Sequence, residues 1–195
     1  MKHFFVHDAD GQVMYAGECA DSDLELQGQA DGLTSREGEA KPGKQYWNGV
    51  TLQNFPDLPS EHHVWDWATH TYVDPRTLDQ IKGQQWEKVK ASRDSVEFGG
   101  FVWDGSTFDS DQESQSRIQG AAQLATLATL NNQPFSIDWT LADNSVRTLD
   151  ASDMIAAGTA MGVHIATTHS IGRTLRIEID AAVTKEEVEA ITWPV

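Results

Sequence analysis

The chain has 195 residues, enough for one large domain or two small ones, and 39% of them are hydrophobic, so it can bury a packed core. Its 30 acidic and 14 basic side chains give a formal net charge of −16, which disfavours direct binding to nucleic acid or to anionic membranes. The single cysteine, Cys19, has no intrachain disulfide partner, and no apolar run approaches the ~20 residues that a membrane span needs. We therefore expect a protein that folds in a cytoplasm and does not insert into a membrane.

Residues 1–75 have the pattern of a small β-rich domain. Short apolar runs alternate with turn signals, which is typical of hairpins. The three predicted hairpins have their turns at Asp10-Gly11, at Asn48-Gly49 and at residues 68–70. Residues 18–44 hold few large apolar side chains and are predicted to form loops with short strands.

Residues 76–195 are predicted to form a helix–hairpin–helix–hairpin–helix module. Apolar residues at helical spacing indicate helices over residues 76–94, 111–131 and 151–183. Two hairpins lie between these helices, with turns at Asp104-Gly105 and at residues 142–145. The expected fold class is therefore α+β, a small β-rich N-terminal domain followed by a C-terminal helical module.

The helix boundaries carry recognisable capping signals. Ser110 and Thr184 are each followed three residues later by a glutamate, so both are predicted N-caps with the capping-box spacing. Asp150 or Ser152 is predicted to cap the last long helix. The apolar face of the 111–131 helix is predicted to include or adjoin Leu124 and Leu127.

The last long helix carries a heptad seam of small and apolar residues, which is a candidate interface. Its members alternate at spacings of four and three: Met154, Gly158, Met161, Ile165, Thr168, Gly172, Leu175 and Ile179. The 111–131 helix of the same chain could cover this seam, or copies of the helix could pack around an axis. Because the seam is longer than the 111–131 helix, part of it must find another cover or face solvent, and we expect an uncovered part to invite contact with another chain.

No residue pattern predicts a catalytic, cofactor or metal site. His62, His63 and His70 form the densest histidine group, but they lack the ligand spacing of a zinc site and are expected to face solvent. The carboxylates of Asp109, Asp111 and Glu113 are expected to cap a helix rather than to do chemistry. We therefore expect no enzyme activity, no cofactor and no bound metal.

Seven tryptophans are many for this length, and packing is their expected role. Three of them, Trp47, Trp65 and Trp67, belong to the β-rich part. If these rings were exposed, they could stack on sugar rings, which leaves a carbohydrate-binding module as an alternative function.

The segment from Trp86 to Trp193 resembles the DUF4376 domain, a family of unknown function found largely in tailed-phage and prophage proteins. The motifs that carry the resemblance are W-E-K-V-K-A-S-R-D, F-V-W-D-G-S-T-F-D-S-D, S-Q-S-R-I-Q-G-A and W-T-L-A-D-N-S-V-R-T-L. The front part is similar to short β modules of phage tail proteins through G-K-Q-Y-W-N-G-V and V-W-D-W-A-T-H-T-Y-V.

This resemblance implies a location and no catalytic residues. It implies a structural protein of the tail tip, baseplate or tail-fibre apparatus, made in the host cytoplasm, present in the virion and active in host attachment. Its expected partners are other tail or fibre proteins, and a homotrimer is the first guess for its own assembly. A tail-fibre assembly chaperone is the alternative.

Overall fold

The computed structural model describes residues 1–194 and divides into two compact units, Met1–Arg76 and a second unit that begins at Thr77. Strands in small sheets build the first unit, and helices dominate the second. The predicted α+β fold class is confirmed.

The first unit contains a three-stranded antiparallel sheet. It is formed in the order β2-β1-β3 by Lys2–His7 (β1), Val13–Cys19 (β2) and Thr34–Glu37 (β3). The central strand buries Phe4, Phe5 and Val6. Between β2 and β3 the chain makes two short 3₁₀ turns, so residues 20–44 contain β3 as their single strand and no further hairpin.

Two two-stranded ribbons complete the first unit. They pair Gln45–Trp47 (β4) with Leu52–Asn54 (β5), and Val64–Asp66 (β6) with Thr71–Val73 (β7). All three predicted hairpins are therefore confirmed. Each turn contains one residue whose backbone reaches a positive φ value, namely Gly11, Gly49 and His70.

The turn of the first hairpin lies directly against β4. The Trp47 amide donates to the Gly11 carbonyl at 2.8 Å. Gly11 has a φ of +91°, and a Cβ there would lie 2.0 Å from the Trp47 carbonyl oxygen. Only glycine fits this crossing, because it combines a left-handed backbone with a contact that leaves no space for a side chain.

The second unit has the predicted order of helices and hairpins. Its elements are Leu78–Phe98 (α1), Phe101–Trp103 (β8), Ser106–Phe108 (β9), Gln112–Leu130 (α2), Ser136–Thr140 (β10), Val146–Asp150 (β11), Ala151–Ala181 (α3) and Lys185–Ala190 (α4). Helix α1 continues past its predicted end at Asp94, because its helical hydrogen bonds run on until Gly99 and Gly100. Helix α3 ends at Ala181 rather than Val183.

Helix α3 is the central element of the second unit, and its neighbours cover it in succession. Helix α2 packs on its first half, where Ile118 and Ala125 join Met154 and Met161 in one buried cluster. Helix α1 packs on its second half in a separate cluster with α4. The buried members of this cluster are Ile81, Val89, Leu175, Ile179 and Val188.

The cap of α2 corrects the sequence prediction. Asp111, not Ser110, is the N-cap, and its carboxylate accepts from the amides of Glu113 at 2.9 Å and Ser114 at 3.1 Å. The Ser110 hydroxyl is fully buried instead. It donates to the Glu97 carbonyl at 2.5 Å and accepts from the Gly100 amide at 2.8 Å, so it satisfies the backbone at the end of α1.

The predicted caps of α3 and α4 are confirmed. Thr184 begins α4 with a capping box that includes Glu187. Asp150, one of the two candidates, begins α3 with a capping box that includes Asp153. Each box satisfies backbone amides that have no partner within the helix.

Candidate functional site

The heptad seam of α3 faces the interior of the second unit. Six of its members are buried, and Gly158 and Ile165 are half-buried. The buried members are Met154, Met161, Thr168, Gly172, Leu175 and Ile179. The expectation that another chain covers part of the seam is therefore corrected, because α1 covers the half that α2 leaves open.

The small residues of the seam allow close packing inside the chain. A Cβ at Gly158 would lie 2.9 Å from the Cβ of Ala122, so α2 and α3 approach each other closely at this level. At Gly172 the neighbours are the side chains of Arg93 and Trp193, at 3.6 Å and 3.9 Å from an added Cβ. Gly162, by contrast, has open space around it.

Two histidines of α3 hold the last turn of α1. His164 Nε2 lies 3.1 Å from the Val96 carbonyl oxygen, and its ring stacks on Phe101. His169 Nε2 lies 2.9 Å from the carboxylate of Glu97, which is nearly buried. Both histidines therefore have a structural explanation, since they contact backbone and side-chain acceptors at a helix end.

The histidines of the first unit likewise have local contacts. His63 Nδ1 lies 2.7 Å from the Ser60 hydroxyl, and His70 Nε2 lies 3.2 Å from the Asp10 carbonyl oxygen. Within residues 1–194, no group of three or more His, Cys, Asp or Glu side chains is arranged to hold a metal ion.

The three tryptophans of the first unit are half-buried in aromatic clusters. Trp47 stacks on the buried His7 ring at 5.8 Å between centroids, with the Arg36 guanidinium 5.1 Å from its centroid. Trp65 and Trp67 contact each other edge-on, and Phe55 meets both. This packing gives all three rings a role in holding the small unit together.

Large apolar side chains are exposed on the outer face of α2. Leu124, Leu127 and Leu130 are 61%, 49% and 72% exposed. The expectation that Leu124 and Leu127 lie on or near the buried face is wrong. Ile118, Ala121 and Ala125 form that face. Because successive residues of a helix are turned by about 100°, the neighbouring leucines point elsewhere. The helix is apolar around much of its circumference, so the sequence did not show which side is covered.

The outer face of α3 also exposes aliphatic residues. Val163 is 60% exposed and Ile177 is 68% exposed. The exposed positions between them include the small residues Ala166 and Ser170 and the charged Arg173. The two aliphatic side chains are therefore separate exposed sites on α3 rather than a continuous apolar stripe.

The two hairpins of the second unit are joined to each other. The Arg147 guanidinium pairs with the Asp104 carboxylate, donates to the Ser106 hydroxyl at 3.1 Å and lies 5.0 Å from the centroid of the Trp103 ring. The Ala142 amide donates to the Thr107 carbonyl at 3.0 Å. These contacts hold β8–β9 and β10–β11 as one surface beside the helices.

These features define a protein with a β-rich unit and a helical unit that carries two joined hairpins. The helical unit matches the family model described as domain of unknown function (DUF4376) over residues 80–192, and the chain belongs to this family. No curated protein and no solved structure matches the chain. None of the helices within residues 1–194 is long and apolar enough to cross a bilayer.

Proposed function

We propose that this protein is a structural component of a tailed-phage tail tip, baseplate or tail-fibre apparatus, where it acts through protein–protein contacts in host attachment. It would be made in the host cytoplasm and incorporated into the virion. Its partners would be other tail or fibre proteins, without nucleic acid or membrane insertion.

The exposed leucines of α2 carry this proposal. Leu124, Leu127 and Leu130 place large aliphatic side chains in solvent on consecutive turns of a well-formed helix. Exposed apolar patches on soluble proteins are typical of contacts with other proteins. The chain's motifs add support, because they resemble those of DUF4376 domains in tailed-phage and prophage proteins.

The charge of the chain supports protein partners over nucleic acid. A net charge of −16 repels polyanions, and the acidic residues are distributed along both units. The apolar face of α2 interrupts this acidic surface. A partner that covers the leucines would gain affinity from the burial of apolar surface, and it would not need to neutralise the net negative charge of the chain.

A tail-fibre assembly chaperone is the second candidate. The same leucines favour it, because a chaperone also needs an exposed apolar surface to hold a folding partner. Quantitative mass spectrometry of purified virions and of the infected-cell lysate separates the two. A structural component persists in the virions in a fixed ratio to other tail proteins, whereas a chaperone stays in the lysate.

A homotrimer remains the proposed oligomeric state. Because the inner seam of α3 is occupied within the chain, the contacts between copies would use outer faces such as Val163 and Ile177. Light scattering of the purified protein tests this with an expected mass of three chains. The mass of one chain would remove the trimer and leave the contact with other tail proteins to be tested separately.

A further inference from the structure

A groove runs along one edge of strand β10. Its volume is about 310 Å³, and one wall consists of the five consecutive residues from Ile137 to Leu141. Successive side chains of a strand point to opposite faces, so a groove lined by five consecutive residues lies at the strand edge rather than on a face. The other wall includes Asp109 and the α2 residues Ser114 and Arg117.

This edge of β10 is open in the part of the chain that the structure describes. Strand β10 pairs only with β11, in a two-stranded antiparallel sheet. The Leu141 amide closes the hairpin on the Ser145 carbonyl at 2.9 Å, which sets the alternation of the ladder. The amides and carbonyls of Ser136, Asp138 and Thr140 therefore point away from β11. Asp138 and Thr140 line the groove, and Ser136 lies next to its first strand residue, Ile137.

The charges at the groove favour a basic occupant. The Asp109 and Asp138 carboxylates are exposed beside it, and Asp138 also accepts a hydrogen bond from the Thr148 hydroxyl of β11 at 2.6 Å, which leaves its charge unneutralised. The single guanidinium on the helix wall, Arg117, is already paired with Glu113. A neighbouring strand with Lys or Arg side chains would meet unneutralised carboxylates there. A second copy of the same edge would instead bring like charges together.

We propose that the groove between β10 and α2 binds an extended, basic segment of a partner protein, which adds to the sheet as a third strand. Main-chain hydrogen bonds to Ser136, Asp138 and Thr140 would supply affinity, and the two carboxylates would select basic side chains. This inference rests on the proposed role in assembly and names the partner chemistry and the surface for it.

The test uses the full ¹⁵N-labelled chain and a capped pentapeptide of alternating valine and lysine, followed by NMR. The expected result is that the amide signals of Ser136, Asp138 and Thr140 shift on titration. Two comparison peptides are used, one with glutamate in place of lysine and one N-methylated at alternate amides. Each is expected to bind at least about tenfold more weakly, since it lacks either the charge contacts or about two main-chain hydrogen bonds.

Matched variants separate the groove from general charge effects. Asp109→Asn with Asp138→Asn is expected to weaken binding of the lysine peptide about tenfold. Asp79→Asn, an exposed carboxylate on α1, is expected to leave it unchanged.

Three results would each overturn the inference. They are shifts confined to residues outside the groove, equal binding of the N-methylated peptide, and no shift at millimolar peptide. This test does not depend on virions. If the peptide does not bind but the chain is present in virions, the groove is not the contact site and the proposed function stands. If the peptide binds but the chain is absent from virions, the groove stands as a binding site and the proposed function fails.

Discussion

At the scale of single residues, two glycines of α3 provide a direct test of the close approach between α2 and α3. Gly158 has the Ala122 Cβ 2.9 Å from the position of an added Cβ, whereas Gly162 has nothing within 4 Å. Gly162→Ala is expected to raise the free energy of unfolding by about 0.5–1 kcal/mol, because alanine is the better helix former. Gly158→Ala is expected to lower it by about 1–2 kcal/mol, because one helix must shift.

Urea unfolding followed by circular dichroism measures both changes. Since the two variants make the same substitution in the same helix, the difference between them isolates the packing term. Equal effects would mean that α2 does not approach α3 at Gly158 as described.

The crossing at Gly11 makes a similar prediction for the first unit. Gly11 and Gly49 both have positive φ, at +91° and +95°, but only Gly11 would place a Cβ against backbone, 2.0 Å from the Trp47 carbonyl. Gly49→Ala is expected to cost about 1–2 kcal/mol from backbone strain alone. Gly11→Ala is expected to cost clearly more and to abolish the native near-UV signal of the tryptophans.

A near-UV spectrum of the Gly11 variant that matches the wild type, with a stability equal to that of the Gly49 variant, would contradict this crossing.

Single residues were also where prediction from the sequence failed. Ser110 has the spacing of a capping box, and no feature of the sequence reveals that its side chain is buried. The neighbouring Asp111 is an equally good cap residue. The choice depends on the end of α1, whose Glu97 carbonyl and Gly100 amide take the Ser110 hydroxyl. Such a contact joins residues from different elements, and local sequence patterns do not contain it.

At the scale of elements, the helix caps predict a dependence of stability on acid. Hydrogen bonds from the backbone and from Ser152 lower the pKa of Asp150, and bonds from Ser114 and its neighbours lower the pKa of Asp111. A carboxylate whose pKa is lower in the folded state contributes stability above its unfolded pKa, about 3.9, and that stability is lost as the pH falls through the folded pKa. The second unit is therefore expected to lose stability below about pH 4.

The Asp150→Asn variant tests this dependence. Asparagine retains an acceptor for the cap but cannot titrate, so the variant is expected to show a smaller loss of melting temperature between pH 5 and pH 3. Asp79→Asn is the control, because it removes an exposed carboxylate from the first turn of α1 that is not part of that helix's capping box. Parallel melting curves for wild type and Asp150→Asn over this range would contradict the role of the cap.

The exposed leucines of α2 predict an effect on assembly rather than on folding. Leu127→Asp combined with Leu124→Asp is expected to leave the melting temperature within a few degrees of the wild type, because both side chains are already in solvent. The variant is expected to be depleted from assembled particles when it replaces the wild-type chain.

Val102→Asp, at a site that is 70% exposed on β8, is the control for added charge. Normal incorporation of the leucine variant would remove α2 as the contact surface.

Most elements were predictable because their periodicity and turn residues are local. Asp104-Gly105 and Asn144 have the positive φ values that hairpin turns need, and the helices carry apolar repeats. The sequence did not predict which helices bury the α3 seam. Helices α2 and α1 pack on successive halves of α3, and this arrangement depends on contacts between distant parts of the chain. No sequence pattern indicated the groove at the edge of β10. An edge is open when no other strand pairs with it, and local sequence does not show which strands pair.

At the scale of the whole molecule, different kinds of contact stabilise the two units. The first unit relies on aromatic clusters in short ribbons, and the second on helices packed around α3. The −16 charge opposes nonspecific association, while the outer faces of α2 and α3 expose aliphatic side chains and one edge of β10 borders a groove. These are the surfaces that the proposed role in an assembly would use.

The location of the chain in a particle tests the central claim most directly. Under the proposed function the chain is encoded by a phage or prophage, so immunogold labelling with an antibody against the chain is applied to the purified particles. The expected result is gold at the end of the tail away from the head, in a fixed number of copies per particle. Particles that carry no label, with the chain found only in the lysate, or label confined to the head, would contradict it.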